Sequence, residues 1–560
     1  MPASPDRGAA DVLGPADVLG RVMLAFRGLT VPAWLRDRLA SAPAAGVTLF
    51  RPLNVRSPDQ VRALTSELQA AAGAWTRRAG GAGRGADAEA PPILIAADQE
   101  GGQLLALGDG WTPFGGPMAV GATGDAALAE PVGRAIGREL RAVGVNVDYG
   151  PCLDVASNPA NPSLGIRSFG DDPAAVASLG AAWLRGLQSA GVAGTAKHFP
   201  GKGEASVDTH LELAVVERDR AGLEVQELRP FRAAVEAGVR VTMSGHFAVP
   251  SVTGSRTLPS TLAPEVMTGL LRDELGFDGV SITDALDMGA LPQDARQAVD
   301  VVAALRAGVD LLLTTSRRAS QQRIEAAIRR AAEVGVLDRE DVAASTARIM
   351  ALRRWIASFD AEPLEIVGCE EHRVLAAELA ERSLTLVRDD AGLLPLRPAD
   401  GSRFVVVEPV PFDLTPADTT STLAPGLAAA LRAHHGRVDE VLVAADPSEH
   451  EIAAAVAAIR GADLAVIATD AASFRPGQAA LVRAALGSDV PVLTVALRTP
   501  FDLADYPGAG THLCTYGRHG PSLAALAAAL FGRIRFRGRL PAAIPGLYPT
   551  GHGLGVAGAG

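Results

Sequence analysis

The stretch from residue 194 to residue 210, GTAKHFPGKGEASVDTH, shows the pattern from which we predict the fold. A short β-rich run ends in Lys197 and His198, and a Pro-Gly turn and a polar loop follow it. Seven more short apolar runs precede residue 315, at 22–26, 47–50, 93–97, 145–149, 239–244, 279–283 and 309–314. Helical stretches between them include residues 58–72, 173–190, 224–237 and 264–275. Eight strands alternating with helices predict an α/β fold, a TIM-like (β/α)8 barrel.

A second alternation of strands and helices begins after residue 380. Its strand candidates are residues 404–408, 441–445, 464–469, 490–497 and 511–516, and its helical candidates are residues 423–434, 451–459, 477–486 and 522–530. This pattern predicts a smaller open parallel αβα-sandwich. We therefore predict a barrel domain at 1–358, a linker at 359–380 and a C-terminal αβ-sandwich domain at 381–560. Residues 73–92, rich in Gly, Ala and Arg, lack a core-forming pattern and predict a mobile loop.

The composition of the 560-residue chain argues against several classes of function. A net charge of -11 disfavours nucleic-acid and anionic-membrane partners. We find no signal-peptide pattern and no run of 18 apolar residues without charge, which predicts a chain without a membrane segment. The cysteines Cys152, Cys369 and Cys514 form no CxxC pair, which favours a reducing compartment and hence the cytoplasm. No phosphate-binding glycine motif opens a helix, so no nucleotide site is expected.

Polar side chains follow several predicted barrel strands at the point where each strand ends. Active sites of (β/α)8 barrels lie at the carboxyl ends of the strands, so we expect these side chains to meet at one mouth. They are Asp98, Glu100, Asp154, Arg167, Lys197, His198, His246 and Asp284. Their repeated placement at the same end of successive strands is hard to explain by packing.

Asp284, in SITDALDM, is the first candidate for a catalytic carboxylate. At a strand end it can serve as nucleophile, general base or metal ligand, and the alternative is a helix N-cap. We favour catalysis, because Asp287 is available to stabilise the helix N-terminus. Asp208 lies two residues before His210, where a carboxylate can bind one ring nitrogen and raise the basicity of the other. The pair predicts His210 as a proton shuttle.

Asp98, Glu100 and Arg167 each have two interpretations. The two acids precede Gly-Gly and can bind paired sugar hydroxyls or cap a turn. Arg167 can act as a bidentate donor or as the salt-bridge partner of Asp98 or Asp154.

Metal binding is a further possibility for the same stretch. The available ligands are His198, His210, Asp208 and Asp284. No spacing such as HExxH supports such a site, and the ammonium of Lys197 beside His198 opposes a cation. We therefore predict no metal and no other cofactor.

Several of these motifs resemble family 3 glycoside hydrolases of the β-N-acetylhexosaminidase type. Residues 197–210 resemble the signature KH[FI]PG-x-G-x4-D-[ST]-H, and DQEGG at 98–102 matches a sugar-binding motif of that family. LLRDELGFDGVSITDALDM at 270–288 is similar to its nucleophile segment, and residues 46–69 are similar to its early barrel region. Its accessory αβ-sandwich domain is resembled by residues 382–396, 497–503 and 536–545.

The resemblance implies a retaining glycosidase with Asp284 as nucleophile and His210, paired with Asp208, as general acid/base. It also implies that N-acetylglucosamine (GlcNAc) hydroxyls bind to Asp98, Arg167, Lys197 and His198, and we add His246 from its strand-end position. The expected substrate is a terminal β-linked GlcNAc of a muropeptide or chitooligosaccharide-like carbohydrate. Three departures from the family pattern are Gln103, Lys202 and Ala285, where Arg, His and a second acid are common.

Other functions fit the same residues. A phosphorylase would use phosphate as acceptor, and Lys202, which with Lys197 makes up the lysine content of the chain, favours an anion near the loop. A β-glucosidase would keep the mechanism and change the sugar. A non-catalytic sugar-binding protein on the same fold is disfavoured by the presence of Asp208, His210 and Asp284. The oligomeric state and the role of the C-terminal domain stay open.

Overall fold

The computed structural model describes residues 13–79 and 91–555, and eight parallel strands form its first sheet. They are β1 (Val22–Leu24), β2 (Gly46–Thr48), β3 (Leu94–Ala97), β4 (Val147–Asp148), β5 (Ala193–Phe199), β6 (Val241–Ser244), β7 (Val280–Thr283) and β8 (Leu312–Leu313). Their order is β7-β6-β5-β4-β3-β2-β1-β8, and a bridge from Ile282 to Leu311 joins the two edges. Each strand overlaps one predicted run, and the predicted barrel is confirmed.

The barrel has an inner and an outer apolar layer. In β3, Leu94 and Ala96 belong to the inner cluster, whereas Ile95 and Ala97 pack with the surrounding helices. This alternation follows from the pleat of a strand, which points successive side chains to opposite faces. All residues of β1 to β8 are buried, which explains their near-continuous apolar sequences. Charged side chains are therefore accommodated mainly beyond the strand ends.

Helices of varied length surround the barrel. The α-helices are Pro15–Val18, Ala33–Ser41, Arg51–Asn54, Pro58–Ala79, Pro117–Thr123, Ala126–Ala142, Pro173–Ser189, Arg220–Gln226, Leu228–Glu236, Pro250–Thr253, Gln297–Arg306, Arg318–Glu333 and Arg339–Ala357. Glu265–Glu274 is a π-helix, and short 3-10 turns are Leu19–Arg21, Gly165–Arg167 and Ser260–Leu262.

Two helix predictions need correction. The helix predicted at 58–72 continues to Ala79, so residues 73–79 of the predicted loop are helical. The rest of that loop, from 80 to 90, lies outside the described residues, as does the N-terminal segment 1–12. The helix predicted at 224–237 is two helices, which meet at Glu227.

A second sheet follows the barrel. Its strands are β9 (Thr385–Asp389), β10 (Phe404–Pro409), β11 (Val438–Val443), β12 (Leu464–Thr469), β13 (Val492–Ala496) and β14 (Thr511–Cys514), in the order β9-β14-β13-β12-β10-β11. β9 is antiparallel to β14, and the other pairs are parallel. The predicted αβ-sandwich is confirmed, with the correction that sequence analysis missed the antiparallel edge strand β9. Its helices are Leu427–Arg432, Glu449–Ile459, Pro476–Leu486 and Gly520–Leu530, and its 3-10 turns are Thr420–Thr422, Ala472–Phe474 and Pro500–Asp505.

The segment predicted as a linker contains ordered structure. A 3-10 turn at Leu364–Ile366 and the helix Glu370–Ser383 occupy most of it. This helix packs on the barrel helix Pro117–Thr123 and on Gly520–Leu530 of the second sheet, so it joins the two parts. The domain boundaries stay predictions. Among the helices of residues 13–79 and 91–555, we find none with the length and apolar character of a membrane span.

Candidate active site

The polar residues predicted at strand ends lie together at the carboxyl end of the barrel. Asp98 follows β3, Lys197 and His198 lie near the end of β5, His246 follows β6 and Asp284 follows β7. Parallel strands of one barrel end at the same mouth, and side-chain contacts there join Asp98 to Lys197 and bring His198 near Asp284.

Asp98, Glu100, Arg167 and Lys197 form a set of ion pairs that we call the ion-pair cluster. Lys197 Nζ lies 2.7 Å from Asp98 Oδ1 and 2.5 Å from Glu100 Oε1. The Arg167 guanidinium donates two hydrogen bonds of 2.9 Å, one to each oxygen of Glu100. The side chain of Glu100 is 0% exposed and that of Asp98 is 22% exposed. Asp98 is therefore the carboxylate open to a ligand, and Glu100 holds the two cations beneath it.

This arrangement decides between the two interpretations of Glu100 and Arg167. Glu100 is not available to sugar hydroxyls, because both of its oxygens are occupied by Arg167 and Lys197. Arg167 forms a bidentate salt bridge within the protein, and its partner is Glu100 rather than Asp98 or Asp154. Burial by itself raises the pKa of Glu100, but the charges of Arg167 and Lys197 and their hydrogen bonds lower it to about 2.

Asp154 orients the ring of His198. The His198 Nδ1 atom lies 2.7 Å from Asp154 Oδ2, so a neutral ring donates Nδ1–H and keeps Nε2 as an acceptor. Nε2 lies 3.5 Å from Arg167 Nη2 and 3.9 Å from Asp284 Oδ2. Burial and the charge of Lys202 lower the pKa of His198 to about 4, against the opposing effect of Asp154. The ring is therefore neutral near pH 7, with Nε2 close to the nucleophile candidate.

One cluster in the described residues brings three metal-ligating side chains within 4.8 Å of one another: Cys152, Asp154 and His198. Asp154 already accepts hydrogen bonds from His198 and from the backbone N–H of Lys202 at 2.8 Å. The guanidinium of Arg167 also lies beside His198. The hydrogen bonds to Asp154 use lone pairs that a metal would need. The positive charges of Arg167 and Lys202 also oppose the charge of a metal ion.

Asp284 begins the segment after β7. Its backbone N–H donates to Ser244 O at 2.9 Å, and its Oδ1 accepts the backbone N–H of Ala285 at 2.8 Å. The side chain is 14% exposed. Burial by itself raises the pKa of Asp284, but electrostatic interactions with His198, His246 and Lys202 hold that pKa well below its usual range. The group is therefore an ionised, partly accessible carboxylate.

Asp208 and His210 form the predicted pair. His210 Nδ1 lies 2.6 Å from Asp208 Oδ1, which also accepts the backbone N–H of His210 at 2.9 Å. Burial raises the pKa of Asp208, but the hydrogen bonds and charge of His210 and the charge of Lys202 outweigh it and lower the pKa. The Nδ1–H of His210 is committed to Asp208, so Nε2 is the ring atom left to exchange a proton with a ligand.

The loop of residues 201–212 carries this pair and is docked against the segment that begins at Asp284. The backbone N–H of Gly289 donates to His210 O at 2.9 Å. A Cβ atom at Gly289 would lie 2.5 Å from the carbonyl oxygen of Leu211, so this close approach requires glycine.

Lys202 lies under the 201–212 loop with a side chain that is 0% exposed. Its Nζ donates to Thr209 Oγ1 at 3.4 Å, and its backbone N–H donates to Asp154 Oδ1 at 2.8 Å. Its carbonyl accepts a hydrogen bond of 2.9 Å from Asn161 Nδ2. The backbone of Lys202 therefore ties the start of the loop to Asp154 and Asn161, and its buried ammonium braces the loop internally through Thr209.

His246 does not fit the predicted contact with substrate. It is fully buried, and its Nδ1 lies 2.9 Å from Thr261 Oγ1. Its Nε2 lies 3.2 Å from Ala285 O and donates there. Both ring nitrogens are thus used within the protein, and the ring supports the backbone beside Asp284.

Two residues with a clear place in this geometry were not among the predicted site residues. Asp154 orients His198 and follows β4, so the strand-end rule had already drawn attention to it. Gly289 docks the 201–212 loop through its backbone, and no sequence motif indicates such a contact.

Comparisons with known proteins relate the chain to one family of glycoside hydrolases. A family model described as "Glycosyl hydrolase family 3 N terminal domain" matches residues 81–352. Beta-hexosaminidase A of Pseudoalteromonas piscicida is 35% identical over 392 residues, which are 66% of this chain and 63% of that protein, so the chain spans less than two thirds of its length. Beta-N-acetylglucosaminidase/beta-glucosidase of Cellulomonas fimi is 30% identical over 488 residues, 80% of this chain and 83% of that protein.

A solved structure extends the likeness to both sheets. The glycoside hydrolase family 3 beta-N-acetylglucosaminidase from Paenibacillus sp. str. FPU-7 is 34% identical, with a TM-score of 0.87. The match covers 94% of this chain and 98% of that chain.

Proposed function

This chain belongs to glycosyl hydrolase family 3, and we propose that it is a retaining, exo-acting β-N-acetylglucosaminidase that removes terminal β-linked GlcNAc. The observation that carries the proposal is the docking of His210 on the segment that begins at Asp284, through the 2.9 Å hydrogen bond from Gly289 N–H to His210 O. It supports a site in which a nucleophile and a proton donor act on one bond.

In the first step of the proposed reaction, an oxygen of Asp284 attacks the anomeric carbon of the sugar. The bond from that carbon to the leaving oxygen breaks, and protonated His210 gives its Nε2 proton to the leaving group. Asp208, which holds Nδ1–H at 2.6 Å, stabilises the positive ring before this transfer. The product of the step is a glycosyl ester on Asp284.

In the second step, neutral His210 takes a proton from water at Nε2. The water oxygen attacks the anomeric carbon, and Asp284 leaves as a carboxylate, so two inversions retain the configuration of the sugar. The lowered pKa of Asp284 supports both roles, since an ionised carboxylate is the better nucleophile and the better leaving group.

The proposed sugar site combines Asp98 with His198. Asp98 is the exposed carboxylate of the ion-pair cluster, and it can accept hydrogen bonds from sugar hydroxyls. Lys197 and Arg167 lie beneath it, almost fully buried, and hold its position and that of Glu100. His198 offers Nε2 on the side of Asp284.

The proposed substrates are muropeptide-derived or chitooligosaccharide-like carbohydrates, and the proposed acceptor is water. We place the reaction in the cytoplasm, as a step of peptidoglycan recycling. The burial of Lys202, whose ammonium donates to Thr209, favours water over phosphate as the proposed acceptor. A β-glucosidase activity is the second candidate, because the name of the Cellulomonas fimi relative includes it.

Product analysis tests this proposal. The enzyme is incubated with 4-nitrophenyl GlcNAc and 4-nitrophenyl glucoside, with and without phosphate, and the sugars are separated by chromatography. We expect free GlcNAc at a rate independent of phosphate and slower cleavage of the glucoside. GlcNAc 1-phosphate would indicate a phosphorylase, equal rates would indicate a broader glycosidase, and equal turnover by Asp284→Ala would refute the mechanism.

A further inference from the structure

Two loops of the second sheet contact the loop that follows β3. His519 Nε2 donates to the carbonyl oxygen of Gly102 at 2.6 Å. The backbone N–H of Thr419 donates to Gln103 O at 2.8 Å, and Thr419 Oγ1 accepts the backbone N–H of Leu105 at 3.1 Å. Thr419 Oγ1 also donates to Gln103 O at 3.2 Å, so the loop of residues 99–105 is held by four hydrogen bonds from a part of the chain more than 300 residues away.

A buried network of charges holds both of these second-sheet loops. Arg518, beside His519, pairs with Glu408 at 2.7 Å and with Asp470 at 2.8 Å. Arg498 pairs with the same Asp470 at 2.6 Å and with Asp418, beside Thr419, also at 2.6 Å. All of these side chains are nearly fully buried, so the network fixes the two loops relative to each other.

The 99–105 loop contains one member of the ion-pair cluster, Glu100, and contacts the segment that carries a second member, Arg167. Gln103 Oε1 accepts the backbone N–H of Ile166 at 3.0 Å, next to Arg167. Gly102 has a φ of +59°, and a Cβ atom there would lie 2.9 Å from the backbone of Gly116. The loop is therefore enclosed between the barrel on one side and His519 on the other.

We propose that the second sheet positions the sugar site: His519, with Thr419, holds the 99–105 loop so that Glu100 fixes Lys197 and Arg167 beside the sugar-binding Asp98. His519 is a positioning residue, since its ring is buried and its Nε2 is committed to Gly102 O. This inference rests on the proposed function for the identity of the ligand, but its structural part does not.

The variant His519→Ala removes the hydrogen bond to Gly102 and leaves the barrel residues unchanged. We expect faster amide exchange in the peptide that contains residues 99–105, and a KM for 4-nitrophenyl GlcNAc raised about tenfold, as for a loss of about 1.4 kcal/mol. The kcat should change less, because His210 and Asp284 are untouched. His519→Gln keeps an N–H donor and should restore much of the loss, and exposed His450→Ala is the matched control.

Unchanged exchange at 99–105 and an unchanged KM in His519→Ala would overturn the inference. If His519→Ala fails to fold, Thr419→Val serves instead. It removes the hydroxyl contacts to Leu105 and Gln103, keeps the backbone N–H of Thr419, and should give a smaller shift in the same direction. Absence of β-N-acetylglucosaminidase activity in the parent protein would refute the proposed function. The positioning role could still be tested, because amide exchange at residues 99–105 is measured without substrate.

Discussion

The ion-pair cluster and the 201–212 loop form the two halves of the site in different ways. Glu100, Lys197 and Arg167 are buried and joined by contacts of 2.5 to 2.9 Å, so the cluster is complete before any ligand arrives. In the loop, His210 is 18% exposed and Leu211 after it is 73% exposed. The proposed sugar site is thus preorganised, whereas the proposed proton transfer depends on a loop that has to stay docked.

The largest effect is expected from the loop half. His210→Ala should lower kcat/KM for a substrate with a poor leaving group by about 10²–10⁴-fold, since general acid catalysis contributes that much. A dinitrophenyl leaving group needs no proton, so its glycosylation step should lose far less. Steady-state kinetics with both substrates measures the difference, and His450→Ala is the control. Equal losses with the two leaving groups would exclude His210 as the acid.

Substitutions in the ion-pair cluster should lower the stability of the protein. Glu100→Gln leaves buried Arg167 and Lys197 without their shared charge, which should cost about 3–5 kcal/mol in the free energy of unfolding. Glu130→Gln, in the exposed pair with Arg185, should cost at most about 1 kcal/mol. Chemical denaturation measures both, and similar losses would mean that the cluster does not act as a preformed unit.

Lys202 braces the loop half through its ammonium, so its loss should be felt mainly through the loop. A hydrogen bond from a charged group contributes about 1.5–3 kcal/mol, and the 3.4 Å bond to Thr209 predicts the lower end, about a tenfold loss of kcat/KM in Lys202→Met. Amide exchange should increase in residues 203–212 and stay unchanged in 99–105. Increased exchange in both segments would show that the two halves are not separable.

The smallest effect concerns pH. His198 has a pKa of about 4 in the folded protein against 6.5 in the unfolded chain, so the unfolded chain binds more protons between these values. The contribution of neutral His198 is therefore present above pH 6.5 and is lost as the pH falls towards 4. As the pH falls from 6.5 to 4, the free energy of unfolding should decrease less in His198→Gln than in the parent protein. Parallel curves of unfolding free energy against pH would contradict a neutral, buried His198.

Sequence patterns predicted the barrel because buried parallel strands need continuous apolar runs, and such runs are visible in the chain. They also predicted which strand ends carry charge. They did not predict the partners of those charges: Arg167 pairs with Glu100, 67 positions away, rather than with Asp98 or Asp154. Which carboxylate pairs with Arg167 depends on differences of a few ångströms between side chains on separate loops.

Features set by tertiary packing were also missed. The ring of His246 follows a strand end like that of His198, but it turns towards Thr261 and Ala285 instead of the mouth. The edge strand β9 lies in a sequence that carries no alternating pattern strong enough to distinguish it from a linker, and it is stabilised by pairing with β14.

The central claim is that Asp284 forms a covalent bond to the sugar while His210 supplies the proton from the loop. A 5-fluoro glycosyl fluoride of GlcNAc tests it directly, because the ring fluorine slows both steps and the fluoride leaving group needs little acid assistance. We expect mass spectrometry to find the sugar on the peptide that contains Asp284, in the parent protein and in His210→Ala alike. A label on Asp98 or another carboxylate, or an unlabelled enzyme that releases the inverted sugar, would contradict the account.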